Sequence, residues 1–349
     1  MSKQHKVLIT RRLPVDVAAR FDKDHGSILN QEDDRYTSEA LLEAAVGMDA
    51  LVVSSSDKLT ADVLAKMPKS VRIIATVSVG YEHIDVEAAT KHGIIVTNTP
   101  DVLTEATSDI GMLLLLAAAR RAHEGQALVR DNKWQGFAMD YNLGVDLMNK
   151  RLGVLGMGRI GRALAHRAAA FGMKIHYHNR NRLTPELEEY AGGAVYFDDA
   201  DEMLTTCDFL SIHSPLTPET TKFLNAERIA RMPDGAIVVN TSRGGVVDAN
   251  ALEVALREPR IAGAALSVHD AVQGPPSAKR RAGDVQPSQL SAGFEDVCGI
   301  LGDAVRLYLE VVRIVVSKDP FRVASGPKPA EHPYPSLFLP PGGHCHLLR

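Results

Sequence analysis

Short apolar runs alternate with amphipathic stretches through the first hundred residues of the chain. The apolar runs predict buried strands at 6–10, 49–53, 72–76 and 93–97. Between these runs, apolar residues recur at helical spacing, which predicts helices over 38–45 and 60–66. Because strands that alternate with helices form parallel sheets covered on both faces, this region is predicted to be one α/β domain.

A long helix is predicted next, from Thr104 to the basic pair Arg120–Arg121. Thr104 and Thr107 are both candidate N-caps, since a threonine hydroxyl can accept a hydrogen bond from a first-turn N–H. The helix is apolar on all sides and is therefore predicted to be buried. Residues 131–149, which include the only tryptophan, Trp134, predict a long irregular connection. Such a connection either serves a function or an interface, or packs on its own chain.

A second series of strands begins near Lys150. Its apolar runs predict strands at 152–155, 174–178, 194–197, 209–213, 236–240 and 262–268. Residues 271–296 are then rich in Gly, Pro and Ser, apolar spacing predicts a helix over 297–317, and the proline-rich tail 326–349 is predicted to be extended or disordered. The pattern as a whole predicts an α/β protein with two doubly wound parallel-sheet domains.

Composition narrows the class of protein. The chain has 349 residues, of which 45% are hydrophobic and 23% charged, with a formal net charge of −4. These values are typical of a soluble globular protein of two domains, and they give no argument for a nucleic-acid or membrane partner. The cysteines, Cys207, Cys298 and Cys345, are too dispersed for a disulfide framework or a zinc motif. The first residues lack an apolar signal core, so we expect a cytoplasmic protein.

The motif Gly156-x-Gly158-x-x-Gly161 follows the predicted strand 152–155 directly and opens a helical pattern. A strand, a glycine turn and a helix are typical of a dinucleotide-binding unit, in which Gly156 permits the tight turn, Gly158 leaves room for a pyrophosphate and Gly161 allows close packing. The free N–H groups and the positive end of the helix dipole would then face the phosphates. The predicted cofactor contacts of this turn are Gly156, Met157, Gly158, Arg159, Ile160 and Gly161. A glycine-rich surface turn without a ligand is the alternative.

The loop Asn179-Arg180-Asn181-Arg182 comes after the next predicted strand. Proteins that bind NAD place an Asp or Glu at about this position, where it binds the ribose 2′-hydroxyl. This loop has no carboxylate to repel a phosphate, and it offers two guanidinium groups that could pair with one. We therefore predict that Asn179, Arg180 and Arg182 select NADP(H), with NAD(H) as the second choice. A solvated basic loop that binds nothing is the alternative.

Several segments resemble the D-isomer-specific 2-hydroxyacid dehydrogenases, and most closely the glyoxylate/hydroxypyruvate reductase branch of that family. These segments are 78–85, 98–107, the glycine motif, 213–220 and 239–245, and together they span roughly residues 70–268. The loop 179–182 also resembles that of the members that use NADPH. The order and the specificity of these segments make a chance agreement very improbable.

The resemblance implies a flavodoxin-like substrate domain made of 1–103 and 297–325, with a Rossmann cofactor domain over 104–296 inserted into it. It implies that N–H groups of Val79 and Gly80 bind the substrate carboxylate. Arg243 would be catalytic, since it would hold the 2-oxo acid and polarise its carbonyl group. Further cofactor contacts implied by the resemblance are Thr104, His213, Pro215, Thr220, Thr241 and Arg243. A homodimer formed through 105–150, with Trp134 near the partner, is implied as well.

One part of the family pattern is missing. Reduction of a 2-oxo acid needs a proton donor for the developing alkoxide, a role that suits a histidine held by a carboxylate. The family supplies these groups in Asp-Val-Phe-x-x-Glu-Pro and Pro-His-Ile-Gly segments, and this chain has neither. Ser267 stands where an aspartate is expected, Val272 stands where the glutamate is expected, and 288–294 contains no histidine. His269 and Asp270 are a poor replacement, because adjacent residues of a strand point to opposite faces.

Two functions from different classes therefore remain. The first is an NADPH-dependent reductase of small 2-oxo acids such as glyoxylate or hydroxypyruvate, with impaired activity. The second is a non-catalytic NADP(H)-binding protein that acts as a sensor or an interaction partner. An altered splice junction or reading frame across 267–300 would also explain a replaced segment of unchanged length. No metal site is predicted, since His344, Cys345 and His346 have no further ligand to complete one.

Overall fold

The computed structural model describes residues 5–268, and the chain divides into two compact units between Val102 and Leu103. Each unit is built on an all-parallel sheet with helices between its strands, which confirms the predicted fold class. The predicted helix 297–317, the proline-rich tail 326–349 and the replaced stretch from His269 onward lie outside the described residues.

Unit 1 carries a five-stranded sheet in the order β2-β1-β3-β4-β5, which is a doubly wound, flavodoxin-like order. Its strands are β1 (Lys6–Ile9), β2 (Gly26–Leu29), β3 (Ala50–Val53), β4 (Ile73–Thr76) and β5 (Ile95–Thr97). Its helices are α1 (Val15–Asp24), α2 (Ser38–Ala44), α3 (Ala61–Ala65) and α4 (Val86–Lys91). Every residue of β3 and β4 is buried, because helices cover both faces of the sheet at its centre.

Three elements of unit 1 have no counterpart among the predicted ones. Strand β2 lies at the edge of the sheet and no residue in it is fully buried, so its sequence carries no continuous apolar run. Helix α1 buries only Val17 and Phe21, and α4 buries only Ala89. Short elements that bury one or two side chains leave a weak periodic signal.

Unit 2 carries a six-stranded sheet in the order β11-β10-β9-β6-β7-β8, which is the Rossmann order. Its strands are β6 (Arg151–Leu155), β7 (Lys174–His178), β8 (Val195–Tyr196), β9 (Phe209–Ile212), β10 (Ala236–Asn240) and β11 (Ile261–Leu266). Its helices are α5 (Thr104–Ala119), α6 (Ala122–Arg130), α7 (Arg159–Ala170), α8 (Pro185–Tyr190), α9 (Ala200–Thr206), α10 (Ala226–Arg231) and α11 (Ala249–Arg257).

The predicted long helix is α5, which ends at Ala119 directly before the basic pair, and a second helix, α6, which was not predicted, follows it. Arg121 adopts a left-handed backbone conformation (φ 52°), which ends the first helix and redirects the chain. Leu103 is the N-cap of α5 and no side chain caps it, so the prediction that Thr104 or Thr107 would do so was wrong. Helix α5 packs on α7, β10 and β11, yet Leu113 on its outer face is half exposed. As predicted, residues 131–149 form neither helix nor strand.

Two apolar clusters, one around Leu152 and Tyr177 and one around Leu204 and Val238, form the core of unit 2. Between residues 5 and 268, the structure has no helix with the length and apolar character that a membrane crossing requires.

Close packing at the centre of unit 2 gives a test of the fold. A Cβ at Gly153 on β6 would overlap the sulfur of Cys207, which is fully buried. We expect Gly153→Ala to lower the free energy of unfolding by about 2 kcal/mol through overpacking. The second substitution, Cys207→Ala, removes the sulfur. The nearest atom to the new Cβ at position 153 is then the Cβ of residue 207, at 3.3 Å. In urea denaturation, the double variant should therefore lose less free energy of unfolding than the two single variants lose in sum. Additive losses would contradict this packing.

Candidate active site

The residues predicted to bind the cofactor follow strands that are neighbours in the sheet of unit 2. The glycine turn follows β6, the basic loop 179–182 follows β7, His213 follows β9 and Thr241 follows β10. Because these strands are parallel, their carboxyl ends meet at one edge of the sheet. The strand order reverses between β6 and β9, and the crevice at such a reversal is where open α/β sheets bind ligands.

The three glycines of the turn have different surroundings. Gly156 has a left-handed backbone (φ 93°), and its N–H donates to the His178 carbonyl oxygen at 3.0 Å. A Cβ at Gly156 would lie 2.7 Å from the Ser214 nitrogen, and a Cβ at Gly161 would overlap the Gly156 carbonyl oxygen. A Cβ at Gly158 would meet no atom within 4 Å. The first and third glycines are therefore required by internal packing, whereas open space above Gly158 remains for a ligand.

Helix α7 begins at this turn with its positive end uncompensated. Gly158 is its N-cap, no side chain caps the helix, and its first turn contains no acidic residue. The first N–H groups of a helix have no acceptor within the helix. Arg159 adds a positive charge, and the pKa of the Arg162 guanidinium is lowered by burial and then by Arg159. This end of α7 fits an anionic diphosphate. The Met157 side chain is buried in the core, so only its backbone is placed to contact a ligand.

The side chains of Asn179 and Arg182 in the basic loop 179–182 form hydrogen bonds within the loop and with helix α8. Asn179 donates from Nδ2 to the Asn181 carbonyl oxygen at 3.0 Å, and the Arg180 side chain is exposed. Arg182 is bound side-on by Glu188 of α8, with its Nε 2.9 Å from Oε1. Sequence reasoning missed Glu188, because it considered only the residues that directly follow the strand.

The imidazole of His213 joins the ends of β9 and β10. Its Nε2 lies 2.8 Å from the Ser211 hydroxyl and its Nδ1 lies 3.2 Å from the Thr241 hydroxyl. Burial lowers the pKa of His213 to about 4, so the ring is neutral at physiological pH. A neutral imidazole has one donor and one acceptor nitrogen, and both are used here. His213 therefore holds Thr241 in place.

The segment after His213 closes on itself beside the glycine turn. The Thr220 hydroxyl donates to the Pro215 carbonyl oxygen at 2.6 Å and accepts from the Thr217 N–H at 2.7 Å. The Ser214 hydroxyl is buried and has no hydrogen-bond partner within residues 5–268. This buried polar atom is available to a ligand at the same edge of the sheet.

The loop that carries Arg243 is folded around Asn240, the last residue of β10. The Asn240 Nδ2 donates to the Arg243 carbonyl oxygen, and its Oδ1 accepts from the Ser242 N–H, both at 2.9 Å. Asn240 is buried. The Arg243 guanidinium donates from Nη1 to the Ser242 carbonyl oxygen at 2.8 Å. Asn240 belongs to the segment 239–245 but was not predicted as a site residue, and its supporting role is visible only from these contacts.

Thr104, the remaining predicted cofactor contact, is the first residue of α5. Arg167 of α7 binds Glu105 at 2.6 Å and Asp109 at 2.7 Å. These two ion pairs fix the start of α5 relative to the helix that opens at Gly158. Within residues 5–268, no group of three or more His, Cys, Asp or Glu side chains is arranged to hold a metal ion.

In unit 1, the loop at Val79 and Gly80 is held by its carbonyl groups. Asn98 donates from Nδ2 to the Val79 carbonyl oxygen at 2.8 Å, and the Ser78 hydroxyl donates to the Gly80 carbonyl oxygen at 2.6 Å. Thr76 at the end of β4 supports Ser78, with 2.7 Å between the two hydroxyl oxygens. Among the described residues, no acceptor pairs with the N–H groups of Val79 and Gly80. These N–H groups are therefore available to an anion.

Comparisons with known proteins agree with this architecture. The family described as D-isomer specific 2-hydroxyacid dehydrogenase, NAD binding domain, matches residues 112–282. A glyoxylate reductase of Thermococcus litoralis is 45% identical over 269 residues, which are 76% of this chain and 80% of that protein. A glycerate dehydrogenase of Hyphomicrobium methylovorum is 40% identical over 77% of this chain and 83% of that protein.

Among solved structures, an NADPH-dependent glyoxylate/hydroxypyruvate reductase of Sinorhizobium meliloti, in complex with NADP and malonate, has a TM-score of 0.77 to this chain. It is 27% identical, and the likeness covers 90% of this chain and 95% of that one. The match to the family ends at residue 282, before the stretch 288–294, which contains no histidine. The predicted resemblance is thus confirmed: the chain belongs to the D-isomer-specific 2-hydroxyacid dehydrogenases, an enzyme family with a nicotinamide cofactor, in the branch of the glyoxylate reductases.

Proposed function

We propose that the protein reduces small 2-oxo acids such as glyoxylate and hydroxypyruvate, with NADP(H) preferred over NAD(H). The observation that carries this proposal is one edge of the sheet of unit 2, where the open Gly158, the exposed Arg180 and the loop of Thr241 and Arg243 follow the carboxyl ends of parallel strands. The substrate class is supported by the glyoxylate reductase and glycerate dehydrogenase relatives, at 45% and 40% identity.

The chain offers distinct groups to each part of the coenzyme. First-turn N–H groups of α7, at Arg159, Ile160 and Gly161, bind the pyrophosphate, and Gly158 gives it room. Arg180 pairs with the 2′-phosphate, since its guanidinium is exposed at the end of β7. When bound, the reduced nicotinamide supplies the hydride that the carbonyl carbon of a 2-oxo acid accepts. Thr241, held by His213, keeps the loop before Arg243 in a fixed position.

In unit 1, backbone N–H groups are the proposed partners of the substrate carboxylate. Val79 and Gly80 offer N–H groups, and Asn98 and Ser78 fix the direction of these groups by holding the carbonyls. Arg243 binds the 2-oxo acid and polarises its carbonyl group, so negative charge that develops on the oxygen is stabilised.

The proposed reaction needs a proton donor, and no residue named above is suited to that role. His213 is unsuited to it, because burial lowers the pKa of this ring to about 4 and both nitrogens are engaged. The family's glutamate and histidine segments are missing from the sequence. Loss of general acid catalysis costs about 10²–10⁴-fold in rate, so we propose a slow reductase. The replaced stretch 267–295 also favours a second candidate, an NADP(H)-binding protein without catalysis.

Coenzyme binding is tested with Arg180→Gln. We expect the protein to bind NADPH more tightly than NADH, and the variant to bind NADPH about tenfold more weakly, because a charge-assisted hydrogen bond worth about 1.5 kcal/mol is lost. Its affinity for NADH should not change. Calorimetric titration with both coenzymes measures this. Arg257→Gln, which removes a charge from an exposed ion pair with Glu253, is the matched control. Equal wild-type affinity for both coenzymes would contradict the preference.

Turnover separates the two candidate functions. We expect NADPH oxidation with glyoxylate and hydroxypyruvate, with kcat about 10²–10⁴-fold below that of the Thermococcus litoralis relative assayed alongside. Arg243→Gln should lower kcat/KM at least about 100-fold, since it removes the group that stabilises developing charge. Tight NADPH binding without detectable turnover on either acid would reject the reductase and support the binding protein.

We also propose a homodimer formed through α5, α6 and residues 131–149. Helix α6 buries none of its residues in its own chain, and large apolar side chains around it are exposed. They are Leu113, Val129, Trp134, Phe137, Met139, Leu143 and Met148. Large apolar side chains that are exposed along one stretch of chain are typical of a surface that a partner covers, and a second copy of the chain is the occupant that the family resemblance implies.

Light scattering tests the dimer. We expect a mass of two chains for the wild type and a shift towards one chain for Phe137→Asp, whose parent side chain is 86% exposed. A charge buried in an apolar interface is costly unless it is paired. Val15→Asp, at an equally exposed apolar position on α1 of unit 1, is the control and should leave the mass unchanged. A wild-type mass of one chain would refute the dimer.

A further inference from the structure

A ring of hydrogen bonds ties the basic loop after β7 to helix α8. The Tyr177 hydroxyl donates to Glu188 Oε1 at 2.7 Å and accepts from the Leu183 N–H at 2.9 Å. Glu188 binds Arg182 side-on, with Nε 2.9 Å from Oε1 and Nη2 3.1 Å from Oε2. Because the Tyr177 side chain is fully buried, this ring anchors the loop to the core of unit 2.

The two members of the ion pair differ in their exposure. The Glu188 side chain is 13% exposed, whereas that of Arg182 is 65% exposed. The pKa of Glu188 is lowered by hydrogen bonds, first from Arg182 and then from Tyr177. The carboxylate is therefore ionised at neutral pH and held in one place, and the pair as a whole carries no net charge.

Arg180 and Arg182 are consequently not equivalent. Arg180 is exposed, and no carboxylate of residues 5–268 lies within ion-pair distance of it. The pKa of Glu219 is lowered mainly by hydrogen bonds with Thr217 and with its own backbone, and Arg180 adds a weaker effect from farther away. The charge of Arg180 is thus available to a ligand, whereas that of Arg182 is already balanced.

We propose that Glu188 determines coenzyme selectivity, by neutralising Arg182 and leaving Arg180 to distinguish a 2′-phosphate from a 2′-hydroxyl. The inference rests on the proposed binding of NADP(H) at this loop. A phosphate placed beside Arg182 would also lie close to the Glu188 carboxylate, and two negative charges repel each other. The 2′-hydroxyl of NAD(H) is uncharged and does not experience this repulsion. Glu188 therefore weakens the binding of the phosphorylated coenzyme selectively.

The central variant is Glu188→Gln, which keeps an oxygen for Arg182 and Tyr177 and removes the negative charge. We expect it to bind NADPH about fivefold more tightly and NADH within about twofold of the wild type, in the range of partly exposed charge pairs. The quantity to compare is the ratio of the NADH and NADPH dissociation constants, measured by calorimetry at low ionic strength because salt screens such pairs. Glu189→Gln removes the same charge from the exposed neighbouring residue and should leave this ratio unchanged.

A double variant tests the balance of charge directly. Arg182→Gln combined with Glu188→Gln removes a pair without net charge, so the ratio should stay within about twofold of the wild type. Arg182→Gln alone leaves an unbalanced carboxylate and should lower the ratio. Should Glu188→Gln fail to fold in a thermal melt, the comparison of Arg182→Gln with the double variant decides the question, because only the charge of Glu188 distinguishes these two proteins.

An unchanged or lowered ratio in Glu188→Gln would show that the Glu188 charge does not weaken phosphate binding and would overturn the inference. A marked fall in the double variant would show that Arg182 itself binds the phosphate and would overturn it as well. A wild-type ratio below one would instead overturn the proposed NADP(H) preference. The change in the ratio between variants still tests Glu188 in that case, so the two failures are distinguishable.

Discussion

Main-chain atoms pack directly against one another at Gly156, Gly161 and Ser214, and the geometry of unit 2 depends on this contact. The end of β6, the start of α7 and the end of β9 approach so closely that a Cβ at either glycine would strike a main-chain atom. Van der Waals contact between main-chain atoms therefore sets where α7 begins, largely independently of side-chain choice. The direction of the helix dipole and the open space above Gly158 both follow from that position.

Side-chain amides at the ends of buried strands hold the loops of both units in the same way. Asn240 ends β10 and bonds the backbone of Ser242 and Arg243, and Asn98 follows β5 and bonds the carbonyl of Val79. Both polar atoms of Asn240 are paired in this arrangement, whereas Asn98 pairs only its Nδ2 among the described residues. A buried amide group is costly when it is left unpaired, so these bonds favour one arrangement of each loop. Loops fixed in this way can present backbone N–H groups and a guanidinium with little further ordering on binding.

Much of the fold follows from local pattern, since the central strands of both sheets are continuous apolar runs and the glycine motif marks the start of α7. The edge strand β2 escaped prediction because half-exposed residues carry little periodic signal. Helix α6 escaped it because none of its residues is buried, and only a positive φ at Arg121 separates it from α5. Spacing located Arg180 and Arg182, but it could not show that Glu188 balances one of them, because that contact depends on how α8 packs.

The packing that surrounds Gly153 also determines the chemistry of Cys207. Burial raises the pKa of this thiol to about 12, and its sulfur donates to the Met203 carbonyl oxygen at 3.1 Å. Nucleophilic attack requires the thiolate, so the folded protein protects this cysteine against alkylation and oxidation. Its modification must wait until β6 separates from α9, which makes the rate of thiol labelling at this position a direct measure of how often the centre of unit 2 opens.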